Sequence, residues 1–271
     1  MFSLLFAPEA NDVLLFGVIL VTLVLAAYLG QTTHLTQVSH DSGDSVLVSG
    51  AILSLSGLLI GFMFSLSISG YAAREQAQVR EVLAIGTVWQ YASLQSPKER
   101  DKTEIQLRSY IDDRIHFFTE KSVQGKRVSL QAAREKQAQL WQGVVQVAAR
   151  NPTPVMASVL ASYSSLYATL QETQADWRRQ IPDAAWMVLV LFAACACFLS
   201  GYQYRGKASR HIFIILLPGL MTLALFMIAE IDLPGEGIIR VTPDDLQQLA
   251  FSLFKTPGNI HDQTHSVYHV S

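Results

Sequence analysis

Charge is what this sequence has least of. Of its 271 residues only 15% are charged and 50% are hydrophobic, and the two signs nearly cancel, with 20 Lys and Arg against 22 Asp and Glu. So apolar a chain is not an ordinary soluble domain, and so even a charge balance gives no footprint for nucleic acid. Cysteine is nearly missing too. Cys195 and Cys197 stand two apart in an apolar run, where helical positions i and i+2 face different ways, so they do not bridge each other and read as small packing residues. There is no phosphate-cradling glycine loop, no paired-cysteine metal knuckle and no nucleophile elbow. Without such a constellation an enzyme is not expected.

The apolar residues gather in four blocks, about 13–30, 46–71, 184–202 and 211–229, none with a Lys, Arg, Asp or Glu in its interior. Each is close to the ~20 residues a helix needs to cross ~30 Å of hydrocarbon. A cleaved signal peptide needs a basic stretch before its apolar run. Met1 to Asp12 has no Lys or Arg but does have Glu9 and Asp12, so the first block is read as a retained span. The expected organisation is a transmembrane pair in 1–72, a soluble helical domain in 73–181, a second pair in 182–231 and a tail in 232–271.

Four spans put the N-terminus, the 73–181 domain and the C-terminus on one side. Arg74 and Arg80 follow the second span and Arg178 and Arg179 precede the third, whereas 31–45 has no Lys or Arg. The positive-inside rule makes the domain side cytoplasmic, and a multi-pass inner-membrane protein is expected. The connection 203–210, with Arg205, Lys207 and Arg210, works against that orientation.

Within 73–181 apolar residues recur at three and four positions, which predicts about four helices. The first continues from the second span, since no proline interrupts Ala51 to Ser93. At 1.5 Å per residue some 40 residues give ~60 Å of helix. The second starts near Pro97, a residue suited to a first turn. The third starts after Gly125 with Ser129 as N-cap. The fourth covers about Val155 to Gln180, after the break at Asn151-Pro152-Thr153-Pro154.

Gly57, Gly61, Ser65 and Ser69 repeat every four residues along the second span, forming one slowly rotating stripe. Two readings stand: close helix packing of the small-xxx-small type, or a pore wall in an oligomer, with Phe62 and Phe64 as candidates for a hydrophobic constriction. Beyond the membrane, Glu81, seven residues from Arg74 and one from Arg80, is expected to pair with an arginine from another helix, such as Arg108 or Arg114; the other reading of these charges is a solvated or salt-bridged surface. Gly86 is expected to admit a close neighbour, since a helical glycine costs ~1 kcal/mol relative to alanine. Glu230, Asp232 and Glu236 surround a Pro/Gly turn and are candidate ligands for a regulatory metal ion, with a basic partner or plain interfacial charges leaving the bilayer as the other readings. His261, His265 and His269, at four-residue spacing, are a second candidate metal set. No other cofactor is expected.

The stretches Gly61 to Ser65, Arg74, Glu81 with Ala84-Ile85-Gly86-Thr87, Leu107-Arg108 with Tyr110 and Arg114, and Asp232, Pro234, Gly237, Val241 and Leu246 resemble a bacterial family of membrane proteins described as bestrophin-like. The chain departs from that family's pattern at Val82, Leu83, Tyr91 and Glu230. The family's Asn/Asp pattern in the fourth cytoplasmic helix is not evident around Tyr163 to Thr173, which argues against a polar role there. The resemblance implies an all-α membrane protein with four transmembrane helices and an inserted cytoplasmic helical bundle. It also implies a homo-oligomer, in bestrophins a pentamer, with second spans around an axis, and an ion channel as function. Arg74, Glu81, Thr87, Arg108, Tyr110 and Arg114 are then a candidate cytoplasmic polar network. The other function left open is a membrane scaffold or sensor whose helical domain binds a cytoplasmic protein. The sign of a passing ion would follow from which groups face the axis: Arg74 and Arg80 favour anions, Glu81 or Asp232 cations.

Overall fold

A computed structural model describes residues 12–36, 42–120, 122–203, 211–232 and 241–254. They form helices α1 (Asp12–Thr36), α2 (Ser42–Ala92), α3 (Pro97–Thr119), α4 (Val123–Arg150), α5 (Pro154–Arg178), α6 (Asp183–Gln203), α7 (His211–Asp232) and α8 (Asp244–Phe254). No strand occurs among the described residues. Four helical stretches, Phe16–Thr33, Leu47–Ala92, Pro154–Tyr202 and Ile215–Asp232, are long and apolar enough to cross a membrane. The second span and its extension are one helix of 51 residues, α2. The chain divides into two compact units, Met1–Gln76 with Gln174–Val241, and Ala77–Thr173 with Thr242–Ser271. Two of the three boundaries fall inside α2 and α5.

In the first unit α1 lies along α6 and α7. Leu23 and Ala27 of α1, Leu189 and Cys197 of α6, and Leu225 and Ile228 of α7 form its buried centre. Two glycines make the α1–α6 crossing possible. A Cβ at Gly30 would overlap the carbonyl of Phe198, and one at Gly201 would overlap the carbonyl of Ala27. Small residues at such a crossing let backbones approach and gain dispersion contact, which is what drives helix association in lipid.

In the second unit α3 packs against α4 and α8. Leu107, Tyr110 and Ile111 of α3 are fully buried with Ile85 and Val88 of α2 and Val159 of α5. The start of α3 follows from its sequence: Ser96 caps it, accepting the Glu99 N–H, and Pro97 opens the first turn. The start of α4 differs from the expectation. Ser122 is the N-cap, its Oγ accepting the Gly125 N–H at 2.9 Å, and Ser129 sits inside the helix. Capping at Ser129 would have left Val123 to Val128 unwound, without the hydrogen bonds those residues make once Ser122 caps the first turn, so the earlier cap wins. The α8 helix lies in the segment read from sequence as a tail. Its Leu249 lies over Gly86 of α2 and its Leu246 is fully buried.

Gly201→Ala is expected to cost about 1–3 kcal/mol in overpacking, read as a lower melting midpoint of the detergent-solubilised protein, because a backbone carbonyl cannot swing aside as a side-chain tip can. Gly17→Ala adds a methyl that meets nothing within 4 Å and should leave the midpoint unchanged or slightly raised. Equal effects from the two would show that α1 and α6 do not cross at Gly201.

Candidate functional site

Two features of α2 stand out, one in each unit. In the first unit α2 buries one side only. Ser56, Met63, Ser67 and Arg74 are buried, and at ~100° per residue they share a direction. Their polar groups are used. Ser56 Oγ donates to the Ile52 carbonyl at 2.7 Å and reaches that of Phe192 at 3.3 Å. Ser67 Oγ donates to the Ile228 carbonyl at 3.4 Å. Arg74 Nη2 donates to the Ile231 carbonyl at 2.6 Å, and Nη1 reaches that of Arg179 at 3.5 Å.

The small-residue stripe is on the other side. Gly57, Gly61, Ser65 and Ser69 are all exposed in the single chain, roughly half a turn from the buried set. A Cβ added at Gly57 or Gly61 meets nothing within 4 Å, so among the described residues the stripe serves no packing inside the chain. Phe62 and Phe64 are also exposed, at 60% and 37%. Two positions apart, they leave the helix about 200° from each other, one on each flank of the stripe. They cannot both point along one direction.

In the second unit α2, α3 and α5 bring together a fully buried ion pair. Arg114 Nε and Nη2 donate to Glu81 Oε1 and Oε2 at 2.6 and 2.8 Å, a bidentate fork, and Tyr110 Oη donates to Oε1 at 2.6 Å. The Arg114 guanidinium carbon lies 4.7 and 5.1 Å from the ring centres of Phe117 and Phe118, and Nη1 has no hydrogen-bond partner among the described residues. Burial works against the Arg114 charge, yet the Glu81 carboxylate and Tyr110 more than offset it and hold the guanidinium above its ordinary range. Burial and the neighbouring Glu81 charge push the Tyr110 phenol well up. Tyr110 therefore remains a donor and Arg114 a cation throughout the physiological range.

The other candidates of the cytoplasmic polar network do not join this cluster. The Arg108 guanidinium carbon lies 5.3 Å from the ring centre of Phe254 on α8, and Thr87 Oγ1 donates to the Leu83 carbonyl one turn back. Arg74 belongs to the first unit. Thr173 of α5 was not anticipated. Its hydroxyl sits 3.4 Å from Glu81 Oε2 while donating to the Thr169 carbonyl at 2.9 Å. Nor was the triad in which Tyr163 Oη meets Thr103 Oγ1 at 2.8 Å and accepts from Gln95 Nε2 at 3.3 Å. The fourth cytoplasmic helix thus does hold polar groups, through hydroxyls and not the Asn/Asp pattern. Hydroxyls at Thr173 and Tyr163 give a weaker sequence signal, because Thr and Tyr are as common on plain core faces.

Among the metal candidates, Asp232 is engaged: its carboxylate accepts the Ile181 N–H at 3.0 and 3.2 Å and lies 3.5 Å from Trp186 Nε1. Glu230 is buried. Glu236, His261, His265 and His269 lie outside the described residues. Among the described residues no group of three or more His, Cys, Asp or Glu side chains is placed to hold a metal ion.

A model of the Bestrophin-like domain matches residues 13–246. The chain belongs to this family. No curated protein matches it by sequence. By fold it is similar to a crystal structure of a bacterial bestrophin homolog from Klebsiella pneumoniae, with TM-score 0.66 at 11% identity, covering 91% of this chain and 98% of that one. A second crystal structure of that homolog gives 0.62 at 12%, covering 88% and 96%. A structure described as a membrane protein gives 0.64 at 11%, covering 89% and 99%. At such identities the likeness carries the fold, and the fold is bestrophin-like. This Bestrophin-like chain is thus an all-helical, multi-pass membrane protein of a family that is not one of enzymes.

Glu81→Gln leaves the buried Arg114 charge uncompensated and is expected to cost about 3–5 kcal/mol, read as a lower urea midpoint. Replacing the pair together, Glu81→Leu with Arg114→Met, should recover much of that loss. A Glu81→Gln protein as stable as wild type would mean that the pair is not buried. A smaller effect is expected at Asp113, whose Oδ2 is buried without a hydrogen-bond partner among the described residues and whose carboxyl is raised by burial, against the opposing pull of Lys136. A raised acid is a liability above its folded-state value and none below its unfolded-state value. Asp113→Asn should therefore stabilise at neutral pH and lose its advantage as pH falls into the carboxylate range. A pH-independent difference would contradict this.

Proposed function

We propose that this Bestrophin-like chain assembles as a homo-oligomeric ion channel of the inner membrane, a pentamer, with α2 of each subunit lining the pore. The N-terminus, the helical unit and the C-terminus face the cytoplasm. The observation that carries this reading is the outward face of α2. Gly57, Gly61, Ser65 and Ser69 are turned away from the chain's own buried side, with open space at both glycines. Leu58 and Ile68 share this face, but its serine hydroxyls and bare glycine backbone gain little from lipid and suit an aqueous lumen. The opposite, buried face spends its hydroxyls and Arg74 on carbonyls of neighbouring helices. The Glu81–Tyr110–Arg114 cluster fixes the extension of α2 against α3. A ligand or ion bound at the cytoplasmic unit would bias opening through that extension.

With the purified protein in planar bilayers, Ser65→Trp is expected to remove most of the conductance by filling the lumen. Phe62→Ala is expected to raise it by widening a flank of the same passage. Conductance unchanged in both would mean that α2 does not line a pore, and a protein silent in every condition would favour the scaffold or sensor.

A further inference from the structure

Past its apolar run α2 carries Arg74, Glu75, Arg80 and Glu81 in close succession, and any of these would act on an ion at the mouth of a pore. Three of them are committed elsewhere. Arg74 is buried, its guanidinium on the carbonyls of Ile231 and Arg179. Glu81 is fully buried against Tyr110 and Arg114. Arg80 is exposed, but its Nε donates to Glu172 Oε2 at 3.1 Å, which offsets its charge locally. Asp232, the other acidic candidate, is buried and holds the Ile181 N–H.

Glu75 is different. It is exposed, and no ion pair or hydrogen bond engages its carboxylate among the described residues. Eighteen residues, five helical turns, separate it from Gly57, so both side chains leave α2 in the same direction. It lies at the Gly57 edge of the outward small-residue face, about 100° around the helix from the side that buries Ser56, Met63, Ser67 and Arg74. Nothing on α2 competes with it inside the membrane, because no charged residue occurs between Asp44 and Arg74.

From this placement we infer that the Glu75 carboxylates of the assembled subunits form an acidic ring at one mouth of the pore and make the channel cation-selective. This rests on the pore reading above and adds to it the sign of the permeant ion. A ring of fixed negative charge concentrates cations and repels anions within a Debye length, ~8 to 10 Å at physiological salt. The uncharged stripe behind it conducts what the ring admits.

The test uses the full-length protein reconstituted in planar bilayers, with the reversal potential read across a KCl gradient. Wild type is expected to reverse near the potassium equilibrium potential. Glu75→Gln is expected to lose several-fold in potassium over chloride permeability, Glu75→Lys to move the reversal potential towards chloride, and Glu75→Asp to keep the wild-type preference. The Glu75→Gln effect should shrink as salt rises from ~0.1 M to ~1 M, where the Debye length falls from ~10 to ~3 Å, and a merely structural role would show no such dependence. A wild type that conducts but prefers chloride, or variants that all conduct with the wild-type ratio, overturns the inference and leaves the channel standing. A loss in Glu75→Asp equal to that in Glu75→Gln overturns it as well. A wild type with no conductance removes the pore reading and this inference with it.

Discussion

The rotation of α2 about its own axis is set by buried polar groups, and the rest of the molecule depends on it. A guanidinium withdrawn from water costs several kcal/mol unless its donors are met, and Arg74 meets carbonyls of Ile231 and Arg179 in only one orientation of the helix. Ser56 and Ser67, on the same side, add bonds to Phe192 and Ile228. In the second unit Gln78 Nε2 donates to the Thr242 carbonyl at 2.8 Å, and Glu81 accepts from Tyr110 and Arg114. Turning α2 by half a turn would strand every one of these groups. What the constraint leaves facing outward includes the stripe of glycine and serine, the two phenylalanines, Leu58 and Ile68, and Glu75.

The same economy governs the helix ends of the first unit. The last carbonyls of a helix and the first N–H groups of the next lack partners within their own helices. At the end of α7 the Ile231 carbonyl is taken by Arg74, and the neighbouring Asp232 side chain takes the N–H of Ile181 just ahead of α6. One cation and one anion thus quiet backbone groups that would otherwise be costly where water is scarce. A metal ion at Asp232 would have to compete with these bonds.

How much of this was legible in the sequence varied with the kind of signal. The spans were clear because a helix of ~20 residues without a charge matches the hydrocarbon of a bilayer and is poorly matched to water. The first turn of α3 was clear from Pro97, and the spacing of Glu81 from Arg74 and Arg80 on its own helix pointed to an arginine of another helix, such as Arg108 or Arg114. Only packing chose between those two: Arg114 lies a turn beyond Tyr110 on the buried side of α3, while Arg108 faces Phe254. The crossing at Gly30 and Gly201 was not legible, since a glycine that touches a carbonyl looks in sequence like one in open space, such as Gly17. The α8 helix was hidden because eleven residues make a short pattern, and its meaning lies in the partners Trp89, Gly86 and Arg108 on distant segments. Periodicity reports which face of a helix is apolar and is silent about what covers it.

The central claim is that the outward face of α2 surrounds a shared axis. A cryo-EM reconstruction of the protein in a lipid nanodisc reads this directly, from the subunit number and the side chains nearest the symmetry axis. The expected result is a closed ring, with Gly57, Gly61, Ser65 and Glu75 around a continuous passage and Ser56, Ser67 and Arg74 turned away from it. A dimer, or a ring in which Ser56 and Ser67 face the axis and the glycines face lipid, would contradict it.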